Sequence, residues 1–234
     1  MSKRSKSYRQ SVSSYDKSEA VTLGAAVELV KSFPKRGFDE SVDLTFNLGI
    51  DGRQADQAIR GTIMLPHGTG KEIRVVVITQ GDLLQEASEA GADHVGGPEL
   101  VEQIQGGWLE FDLVVASPDM MGQVGKLGRI LGPRGMMPNP KTGTVTRNVG
   151  QAVTESKSGR VEFRADGKSG NSAQASIGKV SFEAGDLLAN AQTFSEAIIR
   201  SKPASSKGQY IQKAIMSSTM GPGVRIDPSS LTLQ

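Results

Sequence analysis

The 234-residue chain contains no cysteine, only two histidines, and aromatic residues at 5% of its positions. Without cysteine it can form no disulfide framework, thiolate nucleophile or zinc ribbon, and it suits a reducing compartment. No apolar run approaches the ~18 residues that a membrane span needs, and the basic N-terminus leads into no apolar segment typical of a secretory signal. We therefore expect a cytoplasmic protein that has no membrane partner.

The motifs that mark catalytic or nucleotide-binding sites are weak in this chain. Gly68-Thr-Gly-Lys71 resembles part of a phosphate-binding loop, but the full pattern needs glycine at Leu65 and serine or threonine at Glu72. Gly122 to Gly128 has the spacing GxxGxxG, whereas dinucleotide-binding loops have GxGxxG. The two histidines have no carboxylate cluster around them, so no metal site is predicted. One enzymatic alternative stays open, a nucleotide-using enzyme built on the central part of the chain, and fold analogy alone supports it.

Charge is segregated along the chain, although its formal sum is only +2. No lysine or arginine lies between Arg74 and Lys126, where there are nine acidic residues. Residues 120–154 carry five basic residues and no acid, residues 197–226 form a second acid-free basic window, and the first 17 residues hold five bases against one acid. This distribution favours basic surfaces that bind a polyanion. On charge alone, ordinary solvated faces explain it equally well.

Hydrophobic periodicity predicts different folds for the middle and the ends of the chain. Ile73–Ile78 and Leu113–Ala116 are nearly continuous apolar runs, typical of parallel strands covered on both faces. Predicted helices at Asp82–Ala90 and Pro98–Gln105 lie between them. Residues 1–18 are predicted to be a disordered, flexible basic arm. The other predicted elements are the helices Thr22–Ser32, Asn148–Ser156 and Asp186–Arg200, and the alternating strands Val42–Leu48, Arg60–Leu65, Arg160–Arg164, Ser176–Phe182 and Tyr210–Ser218.

We therefore predict a mixed α+β and α/β fold with two domains. A discontinuous α+β domain would comprise residues 19–66 and 156–234, and a Rossmann-like α/β domain would be inserted at residues 67–155. Insertion at exposed, glycine-rich turns is tolerated because few contacts cross there. Gly68, Gly70 and Gly143 belong to the connections between the two domains, where they would form a hinge.

Two segments combine glycine and proline with polar side chains in a way that suits RNA. In the predicted loop Gly122–Gly143, glycines and prolines fix the backbone while basic side chains present charge that matches phosphate. In Ser217–Gly223, hydroxyls can bond to sugar and phosphate, and glycine permits close backbone approach. An exposed Met220 can lie against a sugar or base, although a methionine taken alone is more often in the core. For the basic loop, the structural alternative is packing against the hinge.

These segments resemble the family of the ribosomal large-subunit protein L1, of bacterial type. The likeness runs in order over residues 20 to 230. It implies a structural, non-enzymatic constituent of the large subunit that needs no cofactor and is a monomer outside the ribosome. The matching residues include Asp51-Gly-Arg53, Leu65 to Lys71, Gly125 to Thr146 almost without interruption, Gly159 to Arg164, Ile177-Gly-Lys179 and Ser217 to Pro222.

The resemblance also implies three RNA partners. The discontinuous domain would bind large-subunit ribosomal RNA at the mobile stalk, the inserted domain would assist release of deacylated transfer RNA from the exit site, and the protein would repress translation of its own messenger RNA. Residues matching the family's ribosomal RNA site are Phe38, Ser41, Lys168, Lys179, Ser217, Thr219, Met220 and Gly221. Those expected to face transfer RNA are Lys126, Arg129, Arg134 and Lys141.

The sequence departs from the family pattern in two places. The segment that usually has the form Asp-Lys-x-Gly is Asp166-Gly-Lys-Ser-Gly170 here, followed by a longer loop to Ile177, and Gln174 or a neighbour replaces the histidine common before Ile-Gly-Lys. The arm before Thr22 also has no dependable match in the family. Nucleic acid that copurifies with a steep salt dependence would favour the RNA-binding hypothesis, whereas bound mononucleotide would favour the enzymatic alternative.

Overall fold

The computed structural model describes residues 5–34, 36–51, 54, 56–57, 59–166, 171–206 and 208–231. The chain forms two compact units: Met1–Gly70 with Val161–Gln234, here called the outer unit, and Lys71–Arg160, called the inserted unit. These divisions lie slightly later in the chain than the predicted domain boundaries after residues 66 and 155.

The described residues form the following regular elements. The α-helices are α1 (Lys6–Ser13), α2 (Leu23–Ser32), α3 (Leu83–Glu89), α4 (Pro98–Gln105), α5 (Met121–Val124), α6 (Gly128–Leu131), α7 (Val149–Lys157) and α8 (Ala184–Arg200). The strands are β1 (Ser41–Leu48), β2 (Arg60–Met64), β3 (Val75–Ile78), β4 (His94–Gly96), β5 (Leu113–Ala116), β6 (Arg160–Asp166), β7 (Ser172–Lys179), β8 (Ile211–Ser218) and β9 (Val224–Ile226). Short 3-10 turns lie at Pro118–Met120, Gly125–Leu127, Pro140–Thr142 and Pro228–Leu231.

The outer unit contains a six-stranded sheet in the order β2-β6-β7-β1-β8-β9. In β1, buried and partly exposed residues alternate strictly, because successive side chains of a strand point to opposite faces. The buried face packs against α2 and α8; the ring of Phe194 in α8 lies 5.5 Å from that of Phe46 and 5.7 Å from that of Phe163. The opposite face carries Asp43 and other polar residues.

At one end of the strands of this sheet, the start of β1 lies between the ends of β7 and β8. β1 pairs antiparallel with β7 and with β8, with Ser41 opposite Lys179 and Val42 opposite Ser218. The first residue of β1 therefore lies beside the last residues of β7 and β8. Three segments far apart in sequence meet at this one edge.

The inserted unit contains a three-stranded parallel sheet in the order β4-β3-β5. All four residues of β3 are completely buried because the sheet is covered on both sides. Val76 and Ile78 pack with α4, α5 and α6, whereas Val75 and Val77 pack with α3 and α7. The predicted combination of a parallel and an antiparallel sheet is thus confirmed.

The disorder predicted for residues 1–18 is wrong for the described part of that segment, which begins at residue 5. Lys6–Ser13 is helical, and the side chain of Ser5 caps the helix by accepting a hydrogen bond from the N–H of Tyr8. Ser11 is buried, and Tyr15 packs against the core of the outer unit. The low average hydrophobicity of this segment led to the prediction of disorder, although small and aromatic residues form one partly buried face.

Other differences concern the glycine-rich and short elements. The sequence predicts a loop over Gly122–Gly143, but its first part is helical, since Val124, Leu127 and Leu131 recur at helical spacing and are fully buried. β7 begins earlier than the predicted Ser176–Phe182. β4 and β9 were not predicted, because three residues are too few to show a period.

Candidate nucleic-acid interface

Hydrogen bonds tie the start of β1 to the turn after β8. The N–H of Thr219 donates to the carbonyl of Ser41 at 3.0 Å, and the N–H of Ser41 donates to Oγ1 of Thr219 at 3.0 Å. From the end of β7, Nζ of Lys179 donates to Oγ of Ser41 at 3.0 Å. Ser217 is partly exposed and faces Asp43 across β1 and β8. The structure thus brings together four residues that the sequence predicted for ribosomal RNA.

Two large apolar side chains are exposed in the segments that flank these hydrogen bonds. Phe38, just before β1, and Met220, just after β8, are each 55% exposed. The core alternative for Met220 is therefore wrong. Exposed apolar side chains beside polar ones mark contact surfaces. We call Phe38, Ser41, Lys179, Thr219 and Met220 the strand-end site.

A cleft of about 420 Å³ lies beside Phe38 and contains a buried acid that the sequence did not reveal. Glu40 is only 8% exposed; its Oε1 lies 3.4 Å from Nε of Arg36, and its Oε2 lies 3.5 Å from the N–H of Met220. The carboxylate therefore connects the segment before β1 with the turn after β8. The sequence did not predict the burial of Glu40, because a charged residue in a glycine-containing turn is normally exposed.

Gly221 is required by packing inside the turn. Its N–H donates to the carbonyl of Ser218 at 3.1 Å. A Cβ at this position would lie 2.4 Å from Oγ of Ser218 and 3.3 Å from Cδ2 of Phe33. A side chain at this position would therefore force Oγ of Ser218 or the ring of Phe33 to shift, and the role predicted for Gly221 in RNA binding stays a prediction.

The polar sheet face next to the strand-end site carries a perturbed carboxyl group. Burial raises the pKa of Asp43, and a hydrogen bond from Ser176 together with the positive charge of Lys179 only partly opposes this rise. Ser176 and Ser217 are its neighbours across β7 and β8. A neutral form of Asp43 is therefore more accessible than for an ordinary aspartate.

The inserted unit presents a different kind of surface, here called the basic surface and defined by Lys126, Arg129, Arg134 and Lys141. All four side chains are exposed, and none forms an ion pair with a described residue. Lys71 and Arg74 in the same unit behave differently, because both pair with Asp112, at 2.7 and 3.4 Å, and thereby lower its pKa. The basic surface therefore keeps its charge available to an anion.

The three predicted hinge glycines adopt left-handed backbone conformations that favour glycine, with φ of 63° at Gly68, 68° at Gly70 and 67° at Gly143. Gly68 is fastened in the outer unit, since its carbonyl accepts a hydrogen bond from Nδ2 of the buried Asn190 at 2.9 Å. A Cβ at Gly70 would lie 2.9 Å from the ring of Phe182. Gly143 lies within the inserted unit, where nearby Val145 pairs with Ala116 of β5, so it is not in a connection between the two units. The hinge remains a prediction.

One predicted ribosomal RNA contact, Lys168, lies outside the residues that the structure describes, and so does Arg53. Across the described part of the chain, no group of three or more histidine, aspartate or glutamate residues could hold a metal ion. Nor do the described helices include one that is both long and apolar enough to cross a membrane.

Comparison with known proteins adds two findings. Residues 30–222 match the model of the Ribosomal protein L1p/L10e family. A curated relative, the Large ribosomal subunit protein uL1 of Nocardioides sp., is 53% identical over 226 residues, which cover 97% of this chain and 93% of the relative. The matched family region includes the strand-end site and the basic surface, and it begins after α1.

Proposed function

The chain belongs to the Ribosomal protein L1p/L10e family, and from this premise we propose that it binds large-subunit ribosomal RNA at the mobile stalk through the strand-end site. The resemblance inferred from the sequence is confirmed. The protein is a structural, non-enzymatic constituent of the large subunit of the bacterial cytoplasmic ribosome. The RNA, the residues and the further roles below are the proposal.

The observation that carries this proposal is the joint exposure of Phe38 and Met220 beside Lys179 and two hydroxyl residues. RNA-binding proteins use aromatic side chains to stack on unpaired bases, and hydroxyl and lysine groups to contact sugar and phosphate. Ser41 and Thr219 are held by mutual hydrogen bonds, so the surface is ordered before RNA arrives. Preorganisation lowers the conformational cost of binding.

A full-length Phe38→Ala or Met220→Ala variant tests this assignment against Met64→Ala. Met64 on β2 is also exposed, at 44%, but belongs to a strand two positions from β7 in the sheet. We expect losses of about 1–3 kcal/mol at the strand-end site, comparable to a lost specific contact, and no loss for the control. Binding to a stalk RNA transcript would be measured by filter retention; equal affinities for all three variants would overturn the assignment.

The basic surface supports a second role within the same proposal. Its four unpaired charges suit sequence-independent phosphate contacts, which we assign to transfer RNA leaving the exit site. The inserted unit would move with the stalk through a hinge that includes Gly68 and Gly70. Because the strand-end site would recognise RNA shape, a messenger segment that imitates the stalk would bind there too, which would repress translation of the protein's own messenger. Outside the ribosome the chain would act as a monomer.

A further inference from the structure

The helix α1 precedes the residues that match the family model, and its two faces differ in chemistry. Tyr8, Val12 and Tyr15 are partly buried and Ser11 is 2% exposed, so this face points towards the protein. Lys6 and Arg9 are exposed and three residues apart, which places them on one side of the helix. The helix therefore holds its basic side chains in solvent.

Tyr15 attaches the end of this segment to the turn that follows β8. Its hydroxyl donates to the carbonyl of Gly223 at 2.8 Å, and its ring lies 6.0 Å from that of Phe33. Gly223 is two residues beyond Gly221, and Phe33 is the residue against which Gly221 packs. Burial raises the pKa of Tyr15, so the hydroxyl stays protonated and able to donate.

The backbone after Tyr15 is also fixed to the outer unit. The N–H of Val21 donates to the carbonyl of Arg225 at 3.0 Å, and the N–H of Asp227 donates to the carbonyl of Val21 at 2.9 Å. The segment from α1 to Val21 thus has anchors at both Tyr15 and Val21. Because α1 is only about 12 Å long, Lys6 and Arg9 lie within about one helix length of the residues that lead to the Tyr15 anchor.

The charges of this segment are not neutralised by acids. Lys6, Arg9 and Lys17 form no ion pair with a described residue, and Nζ of Lys17 lies 5.5 Å from the centre of the Tyr8 ring. Asp16 instead accepts hydrogen bonds from the N–H and hydroxyl of Ser18, at 2.8 and 2.7 Å, which lower its pKa. The sequence adds Lys3 and Arg4 before the helix.

We propose that α1 extends the RNA surface, with Lys6, Arg9 and Lys17 contacting the phosphate backbone of the RNA bound at the strand-end site. Tyr15 acts as the positioning residue that holds these charges beside the turn. This inference rests on the proposed function, and it assigns a share of the affinity for the same RNA to a segment that precedes the residues matched by the family model. Such contacts are electrostatic and independent of base sequence.

The test compares two full-length double variants that each lose two positive charges, Lys6→Ala/Arg9→Ala and Arg200→Ala/Lys202→Ala. Arg200 is the last residue of α8, where it pairs with Glu196 at 3.4 Å, and Lys202 follows two residues later. This helix end lies near the start of β8, because the hydroxyl of Tyr210 donates a 3.1 Å hydrogen bond to the carbonyl of Ile198. The eight residues of β8, about 26 Å of strand, separate this point from the strand-end site. Alanine favours helix, so the first variant retains α1.

We expect Lys6→Ala/Arg9→Ala to weaken binding to a stalk RNA transcript roughly tenfold at moderate salt and to lower the salt slope by about 1.5 to 2. The control double variant should change neither quantity. Tyr15→Phe keeps the aromatic ring and leaves Lys6 and Arg9 in place, but it loses the hydrogen bond to Gly223. It should lower the affinity and decrease the salt slope, by less than the Lys6→Ala/Arg9→Ala variant does.

Two results would overturn the inference, and they are distinguishable. If Lys6→Ala/Arg9→Ala binds as the control does while Met220→Ala binds weakly, α1 has no share in RNA binding and the proposed function stands. If the wild-type chain binds the stalk transcript no better than a shuffled RNA of equal length, the proposed function fails and the inference fails with it.

Discussion

The two candidate RNA surfaces are built in different ways. The strand-end site in the outer unit combines one lysine with hydrogen-bonded hydroxyls and two exposed apolar side chains. The basic surface in the inserted unit has four charges that form no ion pair with a described residue, and no large apolar side chain of the described inserted unit is exposed. Fixed, chemically mixed surfaces suit a specific and lasting contact, whereas charge alone suits a transient contact that salt weakens. The difference supports the proposed division, in which the outer unit anchors stalk RNA and the inserted unit contacts transfer RNA.

The largest expected effect comes from a substitution that disturbs the turn carrying Thr219 and Met220 of the strand-end site. Gly221→Ala should destabilise the turn by about 1–3 kcal/mol, as other overpacked substitutions do, because the new Cβ would lie 2.4 Å from Oγ of Ser218. It should also weaken stalk RNA binding. Thermal unfolding and RNA affinity would be measured together.

Ser218→Ala provides the matched partner for that substitution. Its hydroxyl oxygen is buried and has no hydrogen-bond partner among the residues that the structure describes, so the single change should cost little. In Ser218→Ala/Gly221→Ala the clash with Oγ disappears, and we expect much of the stability and affinity to return. A double variant no better than Gly221→Ala alone would show that glycine is needed for another reason.

A smaller and more selective effect should follow from neutralising the basic surface. Replacing Arg129, Arg134 and Lys141 with glutamine should leave stalk RNA affinity unchanged but speed the departure of transfer RNA from the exit site, with a shallower salt dependence. Stopped-flow measurement on reconstituted ribosomes gives the rate. Lys71→Gln/Arg74→Gln, which removes charges already paired with Asp112, is the control. Identical rates for the triple variant and wild type would contradict the transfer RNA role and favour the structural alternative for this loop.

The smallest expected effect concerns stability and pH at Asp43. Because burial raises its pKa above the ordinary value of 3.8, the folded state binds the proton more tightly than the unfolded state does. The resulting stabilisation is present below that ordinary value and is lost as pH rises through the folded pKa. Asp43→Asn should therefore be more stable than wild type at pH 7, with the gap narrowing as pH falls to 3. Urea titrations at both pH values would check this, and a gap that widens on acidification would contradict the assignment.

The sequence predicted the secondary structure best where one hydrophobic pattern extends over many consecutive residues. β3 was visible as an uninterrupted apolar run, and β1 as a strict alternation, because burial on two faces or one face imposes those patterns. Phe38, Ser41, Lys179, Thr219 and Met220 were found through resemblance to a family, and the structure then placed them at one edge.

The features that the sequence missed depend on contacts between distant segments. Glu40 is buried because Arg36 and the N–H of Met220 surround its carboxylate. Asn190 is buried because its side chain bonds with the backbone at His67, Gly68 and Ile177. The attachment of α1 rests on a bond from Tyr15 to Gly223, 208 residues away. None of these has a local period that would reveal it.

The central claim is that the strand-end site holds the stalk RNA while the basic surface faces transfer RNA. Photocrosslinking on intact ribosomes tests it most directly, with a benzophenone amino acid placed at position 38 in one variant and at position 141 in another. We predict that the probe at position 38 crosslinks to stalk ribosomal RNA and the probe at position 141 to exit-site transfer RNA. Crosslinks from position 38 that avoid the stalk, or stalk crosslinks from position 141 alone, would contradict the account.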